Sequence, residues 1–384
     1  MRLFLIVIFG FISFLSFSKG KKEVPFQNDG YIYVEALLND TIRGRFVFDT
    51  GASNLVLDST FVSKHSSIIQ NKLDTARMGG AGNSQAQQVL LINNPIKISL
   101  SSNNHTFSFA PILELTKLNG ENIAGIIGNK FIGEKLLFIN NENSTLKIDT
   151  TIDKGNYPIS IPFEKEKNRI FVKTEIQLKN GKTIVPKLMI DLGSLDAITL
   201  NTPFYEIHKT EIENPYFYSM LHGGVSGKSD GGEFRAMKLI FAKNEFLLPI
   251  ISFSIDTLGA FSNTYYDGLL GNEIMKKFNY AIDYQNNILY LKRNKNFSNP
   301  FVSTLSGFYL EKKENIGIVK SLYYQSEAYK KGLRLNDVVT KLNNKAIADL
   351  SQKEIDTIIS NKNNKLLIST ELQDIQITLK ELIK

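Results

Sequence analysis

The feature that most constrains this chain is an internal repeat. An apolar strand runs into Asp49-Thr50-Gly51-Ala52-Ser53, and a second runs into Asp191-Leu192-Gly193-Ser194. About 30 residues after each aspartate comes a glycine cluster, Met78-Gly79-Gly80-Ala81-Gly82 and then Gly223-Gly224 through Gly227. About 80 residues after each comes an apolar pair closed by glycine, Ile126-Ile127-Gly128-Asn129 and Leu269-Leu270-Gly271-Asn272. A short amphipathic segment, a strand (Leu137-Phe138-Ile139; Tyr280-Ala281-Ile282), an asparagine-rich turn and a last strand (Leu146-Lys147-Ile148; Ile288-Leu289-Tyr290-Leu291) complete each copy. Landmarks recurring in one order at matching separations mean two copies of one structural unit.

That unit is β-rich. Tyr31-Ile32-Tyr33-Val34, Arg45-Phe46-Val47-Phe48, Leu55-Val56-Leu57, Ile96 to Leu100 and Phe107 to Ile112 are short apolar runs close to period two, punctuated by glycine, asparagine and aspartate. The copies are expected over residues 25–155 and 156–292. Residues 293–306 are polar and aperiodic, as in a linker. Residues 307–384 form a smaller unit with a different pattern, opening on Gly307-Phe308-Tyr309-Leu310 and containing the helix-like run Lys353 to Ile359.

Composition narrows the chemistry. The 384 residues include no cysteine, which excludes disulfides, thiolate metal sites, iron–sulfur clusters and a cysteine nucleophile. The net charge of +7 is spread along the chain without a basic stripe or a reading motif, so no nucleic-acid partner is expected. Arg2 followed by the apolar stretch Leu3 to Phe17, with Ser16 and Ser18 before Lys19, has the form of a signal peptide over residues 1–18. Removal of that segment leaves no membrane span, and the mature protein is expected to be periplasmic or secreted.

An aspartate at the end of an apolar strand, followed by a turn closed with glycine, is held on rigid backbone with its carboxylate at the mouth of the turn. One such turn is a common surface feature. Two, on duplicated units that pack about a pseudo-twofold axis, bring Asp49 and Asp191 together. Carboxylates a few ångströms apart cannot both ionise cheaply and share one proton. The ionised member takes a proton from a bridging water while the protonated one polarises a carbonyl oxygen. Peptide hydrolysis then needs no covalent intermediate, no metal and no cofactor.

With these residues in place, the chain resembles a retropepsin-like aspartic protease with two tandem lobes. The resemblance implies a mainly β, two-lobed pepsin/retropepsin-like acid protease fold, with Asp49 and Asp191 catalytic. It makes Thr50, Gly51, Ala52, Gly193 and Ser194 the supporting loop residues and Gly79, Gly80, Ala81 and Gly82 the flap tip. Residues 307–384 resemble a PDZ domain, small and α+β, with Gly307, Phe308, Tyr309 and Leu310 as its carboxylate-binding loop. Gly332-Leu333-Arg334-Leu335-Asn336-Asp337 matches its later turn, with Asn336 where glycine is usual. The combination is similar to bacterial secreted proteases. It implies an endopeptidase acting as a monomer on polypeptide held between the lobes, with a peptide ligand at the PDZ groove; the alternative is an inactive peptide-binding adaptor.

Several departures carry expectations of their own. The family places threonine or serine after the aspartate, and its hydroxyl crosses to the opposite loop; Thr50 can do this and Leu192 cannot. Leu192 therefore either loosens the pair or packs against apolar surface. Ala52 lacks the outer hydroxyl that Ser194 can supply. With few hydrogen bonds to its charged form, the pair should work best at mildly acidic to near-neutral pH. Gly223 through Ser229 brushes against a phosphate-binding loop but has the wrong glycine spacing, and reads instead as a mobile loop of the second copy.

Overall fold

The computed structural model describes residues 23–115 and 122–384; the expected signal peptide lies outside the described residues. The chain is mainly β, with a small mixed unit at its C-terminal end.

The two halves repeat one topology. In the first, six strands lie in the order Ile42–Asp49, Gly125–Gly128, Val56–Asp58, Ala110–Leu113, Gln87–Ile92 and Asp74–Met78. In the second the order is Lys187–Ile190, Gly268–Leu270, Ile198–Leu200, Ile250–Ser254, Gly227–Arg235 and Tyr216–Gly224. In both, the strand that leads into the aspartate turn pairs in parallel with the apolar-glycine strand from 80 residues on, in the registers Gly128↔Asp49 and Leu270↔Ile190. Alternation buries one face: Ile32, Val34, Ala36 and Leu38 enter the core from Tyr31–Leu38. That strand turns into Ile42–Asp49 around Asn39-Asp40, both at positive φ (48° and 63°). Left-handed backbone of this kind closes the three-residue turn Asn39-Asp40-Thr41, and short polar side chains tolerate it.

One expectation fails locally. Phe107 to Ile112 is not a single strand, because Asn103–Phe107 pairs with Ile96–Leu100 whereas Ala110–Leu113 pairs with Gln87–Ile92 and Val56–Asp58. The chain has to turn between two sets of partners, which a continuous apolar pattern does not reveal.

A six-stranded sheet joins the halves underneath, in the order Ile159–Pro162, Ile288–Arg293, Phe278–Asp283, Leu136–Asn140, Thr145–Asp149 and Glu23–Asp29. Its centre is the antiparallel pair Leu137↔Ile282 and Phe138↔Ala281, through which the pseudo-twofold axis passes. One hydrophobic core runs through both halves. Two smaller apolar clusters stand apart from it. Tyr33, Val47, Val56, Leu115 and Ile123 form one, and Phe171, Met189, Phe261, Tyr266 and Leu269 form the other.

Residues 294–307 hold no helix or strand, yet Phe301 is buried against the main core. The C-terminal unit has its own core, including Phe308, Leu310, Val319 and Ile355. Its helix Gln352–Ile359 starts with a capping box between Ser351 and Glu354. Asn336 sits at φ 68°, so the asparagine at the usual glycine position keeps the left-handed turn. The strand Ile316–Tyr323 of this unit pairs with Tyr216–Gly224 of the second half, Tyr218↔Tyr323 to Met220↔Ser321, making one continuous sheet. Among the described residues no helix is long and apolar enough to cross a membrane.

Candidate active site

Asp49 ends its strand and Asp191 directly follows the last residue of its own, both at the seam between the halves, and each turns back on itself in the same way. The Gly51 N–H donates to Asp49 Oδ1 at 2.7 Å, and the Gly193 N–H to Asp191 Oδ1 at 2.8 Å. Each glycine lies against the carboxyl group of the opposite half. A Cβ on Gly51 would stand 2.5 Å from the Asp191 carboxyl, and one on Gly193 would stand 2.7 Å from Asp49 Cγ. Only glycine lets the loops close to this distance, which brings the two carboxyl groups together across the seam.

The Asp191 carboxyl is held well above the usual carboxylate range. Burial contributes most, then the charge of Asp49 and the hydrogen bond shared with it; the Gly193 N–H and the Arg169 charge pull the other way. Asp191 thus holds its proton more firmly than a free carboxyl, beside the charge of Asp49.

Thr50 crosses the seam as expected. Its buried hydroxyl donates to the Ile190 carbonyl at 3.0 Å and accepts from the Leu192 N–H at 3.1 Å. Leu192 takes the second of its two expected courses: it is fully buried in the main core. One hydroxyl therefore fastens both loops where the repeat would offer two. The outer hydroxyl expected of Ser194 does not act on Asp191: among the described residues its side chain makes no hydrogen bond, because it lies beside Gly271 instead.

The apolar-glycine strands hold the loops from below. The N–H groups of Gly128 and Asn129 donate to the Asn54 and Ala52 carbonyls (3.1 and 2.9 Å), and those of Gly271 and Asn272 to Ala197 and Ser194 (3.1 and 2.8 Å). The two asparagines, which the sequence reading gave no role, also tie the halves together. Asn129 Nδ2 donates to the Thr50 carbonyl at 2.7 Å and to the Asn168 carbonyl of the second half at 2.6 Å. Asn272 Nδ2 donates to the Gly30 carbonyl of the first half at 2.5 Å. The recurrence of Gly-Asn in both copies was the signal that marked them.

The two apolar clusters flank the carboxyl pair, one on each half, and a residue of the first glycine cluster reaches each: Met78 packs on the first and Ala81 on the second. Gly79, Gly80, Ala81 and Gly82 follow the strand Asp74–Met78 at the tip of a hairpin, where a flap was expected. Gly223 through Ser229 is not a loop. It is the tip of a second hairpin, Tyr216–Gly224 with Gly227–Arg235. The tips meet: Gly80 N–H donates to Ser226 Oγ (3.1 Å), Ser226 N–H to the Ala81 carbonyl (2.8 Å) and Ser84 Oγ to the Ser226 carbonyl (2.8 Å). Spacing alone pointed to the loop's position but not to its pairing, which depends on a register set from the other end of the hairpin.

Gly307, Phe308, Tyr309 and Leu310 lie far along the chain, where residues 308–313 form the outer strand of the C-terminal unit, paired on one side only, with Ile316–Tyr323. Its open edge is occupied by the chain itself. Ser306 Oγ donates to the Phe308 carbonyl (2.9 Å), and the Gln352 side chain accepts from Lys312 N–H (2.7 Å) and donates to the Leu310 carbonyl (2.8 Å).

With the geometry assembled, comparison with known proteins gives one family. Residues 34–131 match the family model described as aspartyl protease. The matched stretch contains Asp49, the first hairpin and the Gly128 strand, and supports a protease-like fold. No curated protein matches the chain.

Proposed function

We propose that this protein is an aspartic endopeptidase in which Asp49 and Asp191, one from each half, activate a single water between them. The observation that carries this reading is the close approach of the two carboxyl groups, each lying against the other half's glycine and the charge of Asp49 acting on Asp191. The pair holds one proton. Its ionised oxygen takes a proton from the bridging water as that water attacks the peptide carbon, and its acidic hydrogen bonds to the carbonyl oxygen as negative charge develops there. The Gly51 and Gly193 N–H groups hold both carboxyls in orientation. Extended polypeptide lies beneath the meeting hairpins, its side chains against the flanking apolar clusters.

On this reading residues 25–155 and 156–292 are the lobes, with 307–384 a PDZ-like domain joined through 293–306, and the enzyme works as a periplasmic or secreted monomer. For the C-terminal domain, the pairing of Ile316–Tyr323 with the second hairpin and the self-occupied outer strand favour a brace for that hairpin over free capture of a second peptide. The rival reading, an inactive peptide-binding adaptor, gains its motive from a Leu192 that loosens the pair. The burial of Leu192 in the core and its N–H bond to Thr50 remove that motive.

The test is incubation with an unfolded protein across pH 4–8, with and without a transition-state-mimicking aspartic protease inhibitor. Cleavage that the inhibitor blocks is the expected result. Binding of the unfolded chain without cleavage at any pH leaves the adaptor.

A further inference from the structure

Arg169 opens the strand Arg169–Lys173, directly after the two-residue turn Lys167-Asn168 (φ 48° and 65°). Alternation along the strand puts Ile170 and Val172 on one face and Arg169 and Phe171 on the other. Ile170 and Val172 lie in the main core, whereas Phe171 lies in the apolar cluster beside the carboxyl pair, so the strand carries Arg169 on the cleft face. The equivalent station in the first half is Tyr31, after the turn at Gly30. There Ile32 and Val34 enter the core, and Tyr31 and Tyr33 belong to the cleft cluster. The repeat thus places a phenol on one side of the pair and a guanidinium on the other.

The two are not equally satisfied. Burial, and after it the charges of Tyr33, Asp49 and Asp191, keep the Tyr31 hydroxyl protonated. A guanidinium has five N–H donors in a fixed fork and does not shed its charge. Among the described residues the Arg169 side chain makes no ion pair and no hydrogen bond, and its Nε is buried without a partner. Asp191 and Tyr266 both feel its charge without bonding to it, and Glu166, its cross-strand neighbour, is exposed. The other cations on the cleft faces are engaged: Arg45 lies 3.9 Å over the Tyr33 ring, and Lys187 pairs with Glu164 at 2.6 Å. A buried donor with no acceptor is costly, and a planar fork fits a carboxylate with two parallel bonds.

We propose that Arg169 is a specificity-determining residue that receives an acidic side chain of the bound polypeptide, so that chains with Asp or Glu on the second-half side of the scissile bond are preferred. This rests on the reading of the seam as a peptide-binding cleft. Hydrolysis itself is read out separately.

The experiment uses the full chain carrying Asp49→Asn and octapeptides with an apolar pair at the centre, each flanking position holding either Glu or Gln. Fluorescence anisotropy should show, at one position, the Glu peptide bound about tenfold more tightly than its Gln partner, the size expected of one charge-assisted pair. Arg169→Met should bring that ratio within about twofold, and Arg169→Glu should turn the preference toward a Lys peptide. Equal binding of Glu and Gln peptides at every position overturns the inference, as does an Arg169→Met variant that weakens both peptides alike. Cleavage by the parent chain tells the two ideas apart. Selective binding without cleavage sinks the hydrolytic reading and leaves the inference standing, and cleavage of both peptides with equal kcat/KM does the reverse.

Discussion

The first half meets the seam with Asp49-Thr50-Gly51 and the second with Asp191-Leu192-Gly193, and the middle residue is where the copies part. Thr50 is a polar fastener reaching across to Ile190 and Leu192, whereas Leu192 turns into its own core. Three supports around that position stay matched: the glycine N–H to each carboxylate, the parallel strand beneath, and the asparagine that reaches the opposite half. A duplicated site can therefore give up one of two symmetric bonds, provided the freed side chain gains apolar burial and the remaining hydroxyl both donates and accepts.

The hardest test of equivalence is the carboxyl pair. Asp49→Asn and Asp191→Asn should each lower kcat on an unfolded protein by about 10³-fold or more, since general acid–base catalysis of this kind contributes 10²–10⁴. A chain that stays active with Asp191→Asn would mean that the first half pairs with its twin in a homodimer and that the second half is a passenger.

The fasteners come next. Thr50→Val leaves the buried Leu192 N–H without a partner and should cost about 2 kcal/mol of stability, visible as a lower urea midpoint with an unchanged slope. Leu192→Thr is expected to destabilise by a similar amount instead of restoring a second lock, because it exchanges a fully buried aliphatic group for a hydroxyl. A stabilised Leu192→Thr chain would show that the asymmetry is an accident.

The hairpins give a smaller effect. Gly82 sits at φ 110°, and a Cβ there would lie 2.5 Å from the Ser226 carbonyl carbon. Gly82→Ala should part the two tips and raise KM by about tenfold with little change in kcat, as expected when binding that does not change between ground and transition state is lost. An unchanged KM would mean that the tips need not meet for substrate to be held.

The smallest effect distinguishes the halves by their surroundings. Among the described residues only the second pairs a strand with the C-terminal unit, and between them a cavity of about 260 Å³ holds Asp196, Glu233 and Glu273 beside Tyr323. Burial, and after it the charge of Asp196, push Glu233 up to about 7, against hydrogen bonds from Tyr323 and Ser252. Because its folded value is raised, its contribution is fully present below about pH 4.5 and is lost as the pH rises through 7. Thermal unfolding should show stability falling over that range, and Glu233→Gln should flatten the slope. An identical slope in the variant assigns the pH dependence to other groups.

Much of this architecture was legible because the repeat is written in residue types with local consequences. Asp-x-Gly forces a turn, the glycine after an apolar pair admits another backbone, and alternation separates core from cleft. The break at Ser108-Phe109, the second hairpin and the open edge filled by Gln352 were not legible, since each depends on which distant strand a segment pairs with. Arg169 was hidden for the same reason. It looks like a surface residue beside Lys167 until Phe171, two residues on, is seen to face the cleft.

The sequence alone determined that there are two copies, that each offers one aspartate on a glycine-closed turn, and that a third unit of another kind follows. Those properties follow from short-range sterics and from the period of the apolar pattern. Tertiary structure alone decided that Thr50 would serve both loops, that Leu192 would be spared for the core, and that a C-terminal strand would extend the sheet of the second hairpin. Each of these links residues about 100 or more positions apart. Contacts that distant exist only once the core has fixed the register on both sides of the seam.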